Sequence, residues 1–424
     1  MVEWSDLMNY KPRHVKEKLE NYIRLFPVVS VTGSRQSGKS TLLTHLLTAG
    51  WTYYSLDERG LLDTVLRDPD LFIARQTTHI IIDEAQKCPP LFDAIKHAVD
   101  HKHPYKFVLS GSANFLLLHR ITESLAGRVG VIELYPFSYS ELVERPSGGF
   151  LDCIRDAVSP EACLDTLSRM TFSNVTPPIR DMVFTGGYPK IWEYENNQDR
   201  RIWFENYRST YIERDLRDIE QIADLTVFQR YYELLAHQIS NLIQFSQIGS
   251  DLGISTHTSR KYFGILEASY QAFLLNPYFA NMRKRLVRTP KCYLWDTGLA
   301  AFLLKLTGKE DLENSGRYGA FFENWVLTEL FKQNSLRFEK WNPYFWRTSN
   351  GAEVDLLLEY GQRIIPIEIK SGISIQLQSM RGLSIFMDLF DSTRDIPFGL
   401  VIYQGPRLQF ITPRILAVPV QYVC

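Results

Sequence analysis

Short apolar runs rich in β-branched residues recur along the first part of the chain, each closed by glycine, serine or an acid. Between them leucines fall three and four residues apart. The first run, Val28, Val29 and Val31, is followed after a glycine-bounded gap by Leu42, Leu43, Leu46 and Leu47. A strand buried on both faces of a sheet reads as continuously apolar, whereas three-and-four spacing marks one face of a helix, so this stretch predicts strand, loop and helix in succession. Further strands are predicted over Trp51–Asp57, Ile80–Ile82, Tyr105–Leu109 and Val129–Leu134, with a helix reaching Leu125 before the last. Strands alternating with helices imply an α/β unit with a parallel sheet.

The pattern then changes. Phe228, Tyr232, Leu235, Ile239 and Leu242 keep helical spacing, and Phe245–Leu266 reads as helix, glycine-containing turn and helix, with Ile248, Leu252, Ile254, Tyr262 and Leu266 inward. That is a helix-turn-helix, whose second helix exposes His257, Thr258, Arg260 and Lys261. Near the end, Tyr318–Leu330 reads as a helix carrying Glu323, and two strands follow that carry Glu353, Asp355, Glu368 and Lys370. Strand alternation puts Glu368 and Lys370 on one face, and Glu353 on the face of Asp355. Residues 145–178 have a Pro/Ser/Gly-rich start and fit neither pattern, which leaves an insertion or a variable helical lid.

Composition adds limits. A chain of 424 residues, 45% hydrophobic and 22% charged, is expected to fold as several domains without a membrane span or a secretion signal. Five cysteines without C-x-x-C spacing argue against a zinc site or a disulfide framework and fit a reducing cytoplasm. A net charge of -1 gives no general attraction to nucleic acid, so DNA binding requires a local patch. Arg283, Lys284, Arg285, Arg288 and Lys291 supply one within nine residues, as the wing of a winged helix does; the alternative is a packing module with solvated charges. His97, His101 and His103 suit a solvated helix end better than a metal site, and Trp341, Tyr344, Phe345 and Trp346 suit a core better than a base-stacking platform.

The loop after the first strand carries the clearest chemistry. Gly33-Ser34-Arg35-Gln36-Ser37-Gly38-Lys39-Ser40 satisfies G-x-x-x-x-G-K-[ST], with Thr41 starting the helix. Two glycines let backbone N–H groups curl around phosphates, Lys39 brings a charge to the β- and γ-phosphates of ATP, and the Ser40 hydroxyl suits Mg²⁺. The strand tip Asp83-Glu84 is then read as a Mg²⁺-holding acid followed by an acid that orients water; solvated acids capping a strand are the alternative. Ser110, at the next strand tip, is the expected sensor of the γ-phosphate.

The strings VTGSRQSGKSTLL, IIIDEAQKCPPLFDAIK, FVLSGSANF, ESLAGRVGVIELYPFSYSEL, FTGGYPK, YIERDLRDI and PKCYLWDTGLA resemble the bacterial and archaeal AAA-type ATPases that carry a C-terminal domain of unknown function. The resemblance implies a homo-oligomer, of which a ring is one form, and makes Arg128 an arginine finger; an arginine compensating a helix end is the alternative. The last hundred residues resemble the restriction-endonuclease-like PD-(D/E)XK core. There Glu323, Asp355 and Glu368 would gather Mg²⁺ and Lys370 would support the nucleophilic water, unless the fold serves binding or assembly without cleavage. The expected division is an ATPase core over 1–140, a lid or insert over 141–222, a winged helix over 223–310 and a nuclease-like domain over 311–424.

Overall fold

The computed structural model describes residues 10–47, 50–76, 78–101, 105–111, 125–147, 149–170, 177–211, 222, 224–279, 289–376 and 380–424. They divide into two compact units. The first comprises Met1–Phe137, Tyr188–Leu225 and Lys261–Gln271; the second comprises Ser138–Gly187, Thr226–Arg260 and Ala272–Cys424.

In the first unit β1 (Val28–Thr32), β2 (Thr52–Ser55), β3 (His79–Asp83), β4 (Lys106–Ser110) and β5 (Val129–Glu133) form a parallel sheet in the order β2-β3-β4-β1-β5. The register pairs Val31 with Ser110, and Ser55 with Asp83. Parallel pairing brings the carboxyl ends of all five strands to one edge, where α/β sheets present ligand-binding groups. Ile80, Ile82, Phe107 and Leu109 are fully or almost fully buried against Leu91, Phe92 and Ile95 of the Pro90–Asp100 helix. The predicted strands match this sheet, while the helix expected ahead of Leu125 lies outside the described residues.

The expected contiguous blocks are not the compact units. Residues returning from far along the chain complete the first unit: the Tyr270 hydroxyl is 3.0 Å from Thr32 Oγ1, Tyr188 and Tyr207 share a hydroxyl contact of 2.8 Å, and Gln271 donates to Tyr207 at 3.1 Å. Such returns leave no local pattern in the sequence.

The second unit holds β6 (Asn241–Leu242), β7 (Ala272–Leu275) and β8 (Lys291–Leu294) in a small sheet ordered β6-β8-β7. Its large mixed sheet comprises β9 (Asn342–Arg347), β10 (Glu353–Tyr360), β11 (Arg363–Lys370), β12 (Gly399–Tyr403), β13 (Gln409–Thr412) and β14 (Ile415–Pro419), in the order β13-β14-β12-β11-β10-β9. The Arg381–Phe390 helix can lie close to β10 because of Gly382, where a Cβ would stand 1.8 Å from the Glu353 carbonyl oxygen. The helices Phe245–Leu252 and Thr256–Ala268 are joined through Gly253 at φ 69, a left-handed turn that glycine adopts without strain.

Residues 150–168 are packed structure. The helices Phe150–Asp156 and Pro160–Ser168 bury Phe150, Ile154, Cys163 and Leu167, and Arg363 donates to the Arg155 and Ala157 carbonyls. Trp341, Phe345 and Trp346 are buried core residues. All five cysteines are buried free thiols. Among the described residues no helix is long and apolar enough to cross a membrane.

Candidate nucleotide site and a carboxylate cluster

Gly33 opens the loop between β1 and the Lys39–Leu46 helix with φ +149, and a Cβ there would meet the Leu134 carbonyl oxygen at 2.1 Å. Gly38 follows at φ +95. We expect Gly33→Ala to weaken nucleotide binding by on the order of tenfold or more, read by titration with a fluorescent ATP analogue, because backbone rather than a flexible side chain must yield.

Inside this curl the Lys39 ammonium donates to the carbonyls of Gly33 at 3.1 Å and Ser34 at 2.8 Å. The buried hydroxyls of Ser34 and Ser37 have no hydrogen-bond partner among the described residues. Arg35 is half-buried, whereas Gln36, at φ 60, and Thr41 are exposed. A glycine-bounded curl, a central ammonium and two unsatisfied hydroxyls fit a polyanion.

Asp83 stands beside the loop at the tip of β3. Ser40 Oγ donates to its Oδ2 at 2.7 Å, Tyr53 Oη donates to the same oxygen at 2.6 Å, Ser110 donates to Oδ1, and the Glu84 backbone N–H donates to Oδ1 at 3.1 Å. Ser40 and Asp83 are thus the pair that fits Mg²⁺, which when bound would offset the charge of the phosphates. Burial, then the neighbouring Asp83 carboxylate, pushes the Glu84 carboxyl above its ordinary range. Glu84 takes the left-handed φ of 55, costly for a residue with a side chain, and its carboxylate accepts from the Gln86 amide.

Two residues of this site escaped the sequence reading. Tyr53 aims its hydroxyl at Asp83 from β2, and Arg13 braces the loop from outside. Arg13 is buried over the Phe137 ring at 4.8 Å and donates to the carbonyls of Ser37 at 2.8 Å and Tyr135 at 2.6 Å. Neither lies in a motif. The only sequence signal is a cation in a segment otherwise unassigned.

Arg128 lies at the other end of the sheet. Its carbonyl accepts from Val28 N, at the start of β1, and its guanidinium holds Asp100 at 2.6 and 3.1 Å. It does not approach the loop of its own chain. The pair draws the Asp100 carboxyl below its usual range through the hydrogen bond from Arg128.

Glu323 and Asp355 do converge, but on an ammonium that Glu353 shares, and Glu368 pairs instead with Lys370. Lys291 Nζ lies 3.1 Å from Glu323 Oε1, 2.5 Å from Glu353 Oε1 and 3.7 Å from Asp355 Oδ1. Tyr293 also donates to Glu323 at 2.7 Å, and Asp355 Oδ2 accepts from Ile369 N at 2.9 Å. Lys370 donates to Glu368 Oε1 at 2.6 Å, while Glu368 Oε2 is buried without a hydrogen-bond partner among the described residues. Carboxylates outnumber ammoniums here. Burial, then the Asp355 charge, raises the Glu323 and Glu368 carboxyls well above their ordinary values. Burial acts to lower the Lys291 pKa, but the charges of Glu323, Asp355 and Glu353 outweigh it and hold the ammonium charged. Among the described residues no three His, Cys, Asp or Glu form a group able to hold a metal ion. The set expected to share Mg²⁺ therefore does not fit it in this arrangement.

Lys291 corrects the reading of the basic run as well. Expected on an exposed wing, it is 3% exposed at the start of β8. Arg283, Lys284, Arg285 and Arg288 lie outside the described residues. Arg260 and Lys261 are exposed on the Thr256–Ala268 helix, the Arg260 guanidinium 4.9 Å from the centre of the Phe245 ring.

Residues 25–143, which contain the loop, Asp83 and Ser110, match the AAA domain family. The chain thus carries a P-loop ATPase domain of the AAA kind within an α/β multidomain architecture. Residues 176–310 and 318–423 match two domains of unknown function, DUF8612 and DUF4143. Uncharacterized proteins of Mycobacterium bovis and Mycobacterium tuberculosis are each 29% identical over 416 residues, covering 97% of this chain and 84% of theirs. Among solved structures, a Walker-type ATPase of Pyrococcus abyssi aligns over 69% of this chain and 95% of its own at 16% identity and a TM-score of 0.44. A STAND-type signal transduction ATPase of Pyrococcus horikoshii aligns over 77% and 47% at 12% identity and a TM-score of 0.24.

Proposed function

We propose that this chain is a Mg²⁺-dependent ATPase that works as a homo-oligomer on DNA, in processing, repair or defence. The observation that carries the reading is the hold on Asp83: the loop serine, a β2 tyrosine and the β4 serine all donate to one carboxylate beside Lys39. In the proposed reaction Lys39 and the loop amides bind the phosphates, and Ser40 with Asp83 holds the cation. Glu84 orients the attacking water, Ser110 reads the γ-phosphate through Asp83, and Arg13 keeps the loop in shape. Lys39→Ala should remove ATP binding. Unchanged affinity by calorimetry would end the reading of the loop as the nucleotide site.

The DNA half rests on the two helices around Gly253, on exposed Arg260 and Lys261, and on the basic run Arg283, Lys284, Arg285 and Arg288. A winged helix presents these groups to phosphates. With Lys291 buried, the run offers four contacts, so duplex binding should follow salt with a log-log slope of about -3 to -4. Neutralising Arg283, Lys284 and Arg285 together should flatten that slope by about 3. An affinity indifferent to salt would favour the packing-module reading. For the nuclease-like unit, recognition without cleavage is the better-supported role, because an ammonium sits where a catalytic cation was expected.

A further inference from the structure

We infer that Lys291 is a built-in cation for the carboxylate cluster of the second unit, standing in for a divalent metal, and that removing it uncovers a latent Mg²⁺ or Mn²⁺ site. This goes beyond the ATPase reading and depends on neither ATP turnover nor DNA binding.

The argument begins with where the ammonium is. Lys291 comes from β8, in the small sheet, and its Nζ lies between three acids from two other elements: Glu323 of the Tyr318–Leu336 helix, and Glu353 and Asp355 of β10. A divalent cation such as Mg²⁺ binds oxygens at about 2.0–2.1 Å. An ammonium within 4 Å of the same oxygens takes up that space and repels a second cation. The lysine is 3% exposed, and its Nζ stands over the Phe345 ring, 5.7 Å from the ring centre, so its position is held by the surrounding packing.

A second feature is independent of the lysine. Glu368 is 7% exposed, and its Oε2 has no hydrogen-bond partner among the described residues, although Lys370 occupies Oε1. Asp355 directly precedes Leu356 and Glu368 directly follows Ile367, and Leu356 pairs with Ile367 across the antiparallel strands β10 and β11. A buried carboxylate oxygen without a donor is the kind of atom that a metal ligates. Lys291 pairs closely with Glu323 and Glu353 and lies 3.7 Å from Asp355, but leaves this oxygen unused. The cluster thus keeps carboxylates that could serve a divalent ion, though not in an arrangement that holds one, while an internal cation offsets its charge.

The test is nucleotide-free titration with Mn²⁺, read by electron paramagnetic resonance on the full-length protein. Wild type and Asp355→Asn should bind Mn²⁺ alike. Lys291→Ala should bind one further ion per chain, and Lys291→Ala/Asp355→Asn should lose it. Thermal unfolding gives a second reading: Lys291→Ala should melt lower by on the order of 10 °C, and Mn²⁺ should restore part of that loss while leaving wild type unmoved. An Asp355-dependent Mn²⁺ ion in the wild type overturns the proposal, as does a folded Lys291→Ala protein that gains none. Should Lys291→Ala fail to fold, wild type against Asp355→Asn decides alone: equal binding upholds the built-in cation, and a difference sinks it.

Discussion

Glu84→Gln should retain ATP binding while turnover falls by roughly 10² to 10⁴-fold, the range that a positioned general base contributes. The two functions separate because Glu84 makes none of the contacts that line the loop. Those belong to Lys39, to the glycines and to the serines, while Glu84 projects from the turn after β3. Its raised pKa suits a group that handles a proton, since burial already disfavours its charged form. Single-turnover hydrolysis beside an equilibrium binding titration reads both quantities. A parallel loss of binding and turnover would show that Glu84 supports the loop, through its strained φ of 55, rather than the water.

Arg128→Ala should lower turnover per chain by about 10³-fold or more in the assembled state, the lower end of what an arginine finger contributes. Within its own chain the guanidinium lies at the amino end of the sheet and holds Asp100, so any action on phosphate is on a neighbouring subunit. Turnover per chain should accordingly rise with protein concentration. Asp100→Asn is the informative companion. If Arg128 serves only to close the Asp100 pair, both substitutions cost the same and little, because the pair is partly exposed and such pairs contribute little. If Arg128 works across a subunit boundary, Asp100→Asn leaves turnover near wild type while Arg128→Ala does not. Sedimentation of each variant separates lost assembly from a lost finger.

The sequence by itself determined what contiguous residues can specify. Gly33 to Ser40 spell out the loop because its curl, its charge and its hydroxyl all fall within one turn of chain, and the apolar runs at Val28, Ile80 and Phe107 mark strands because both their faces are covered. Glu368 and Lys370 were legible for the same reason, since period two alone puts them on one face. The tertiary structure decided everything that depends on distant partners. Arg13 reaches Ser37 and Tyr135, Tyr53 reaches Asp83, and Tyr270 returns to Thr32, across separations of 24 to 238 residues. Lys291 is the case with the largest consequence. Five cations in nine residues are read from sequence as one solvated patch, because nothing local distinguishes the last from the others. Antiparallel pairing of β8 with β6 and β7 carries that lysine inward, and three acids brought together by a helix and a strand supply the charge that makes its burial stable.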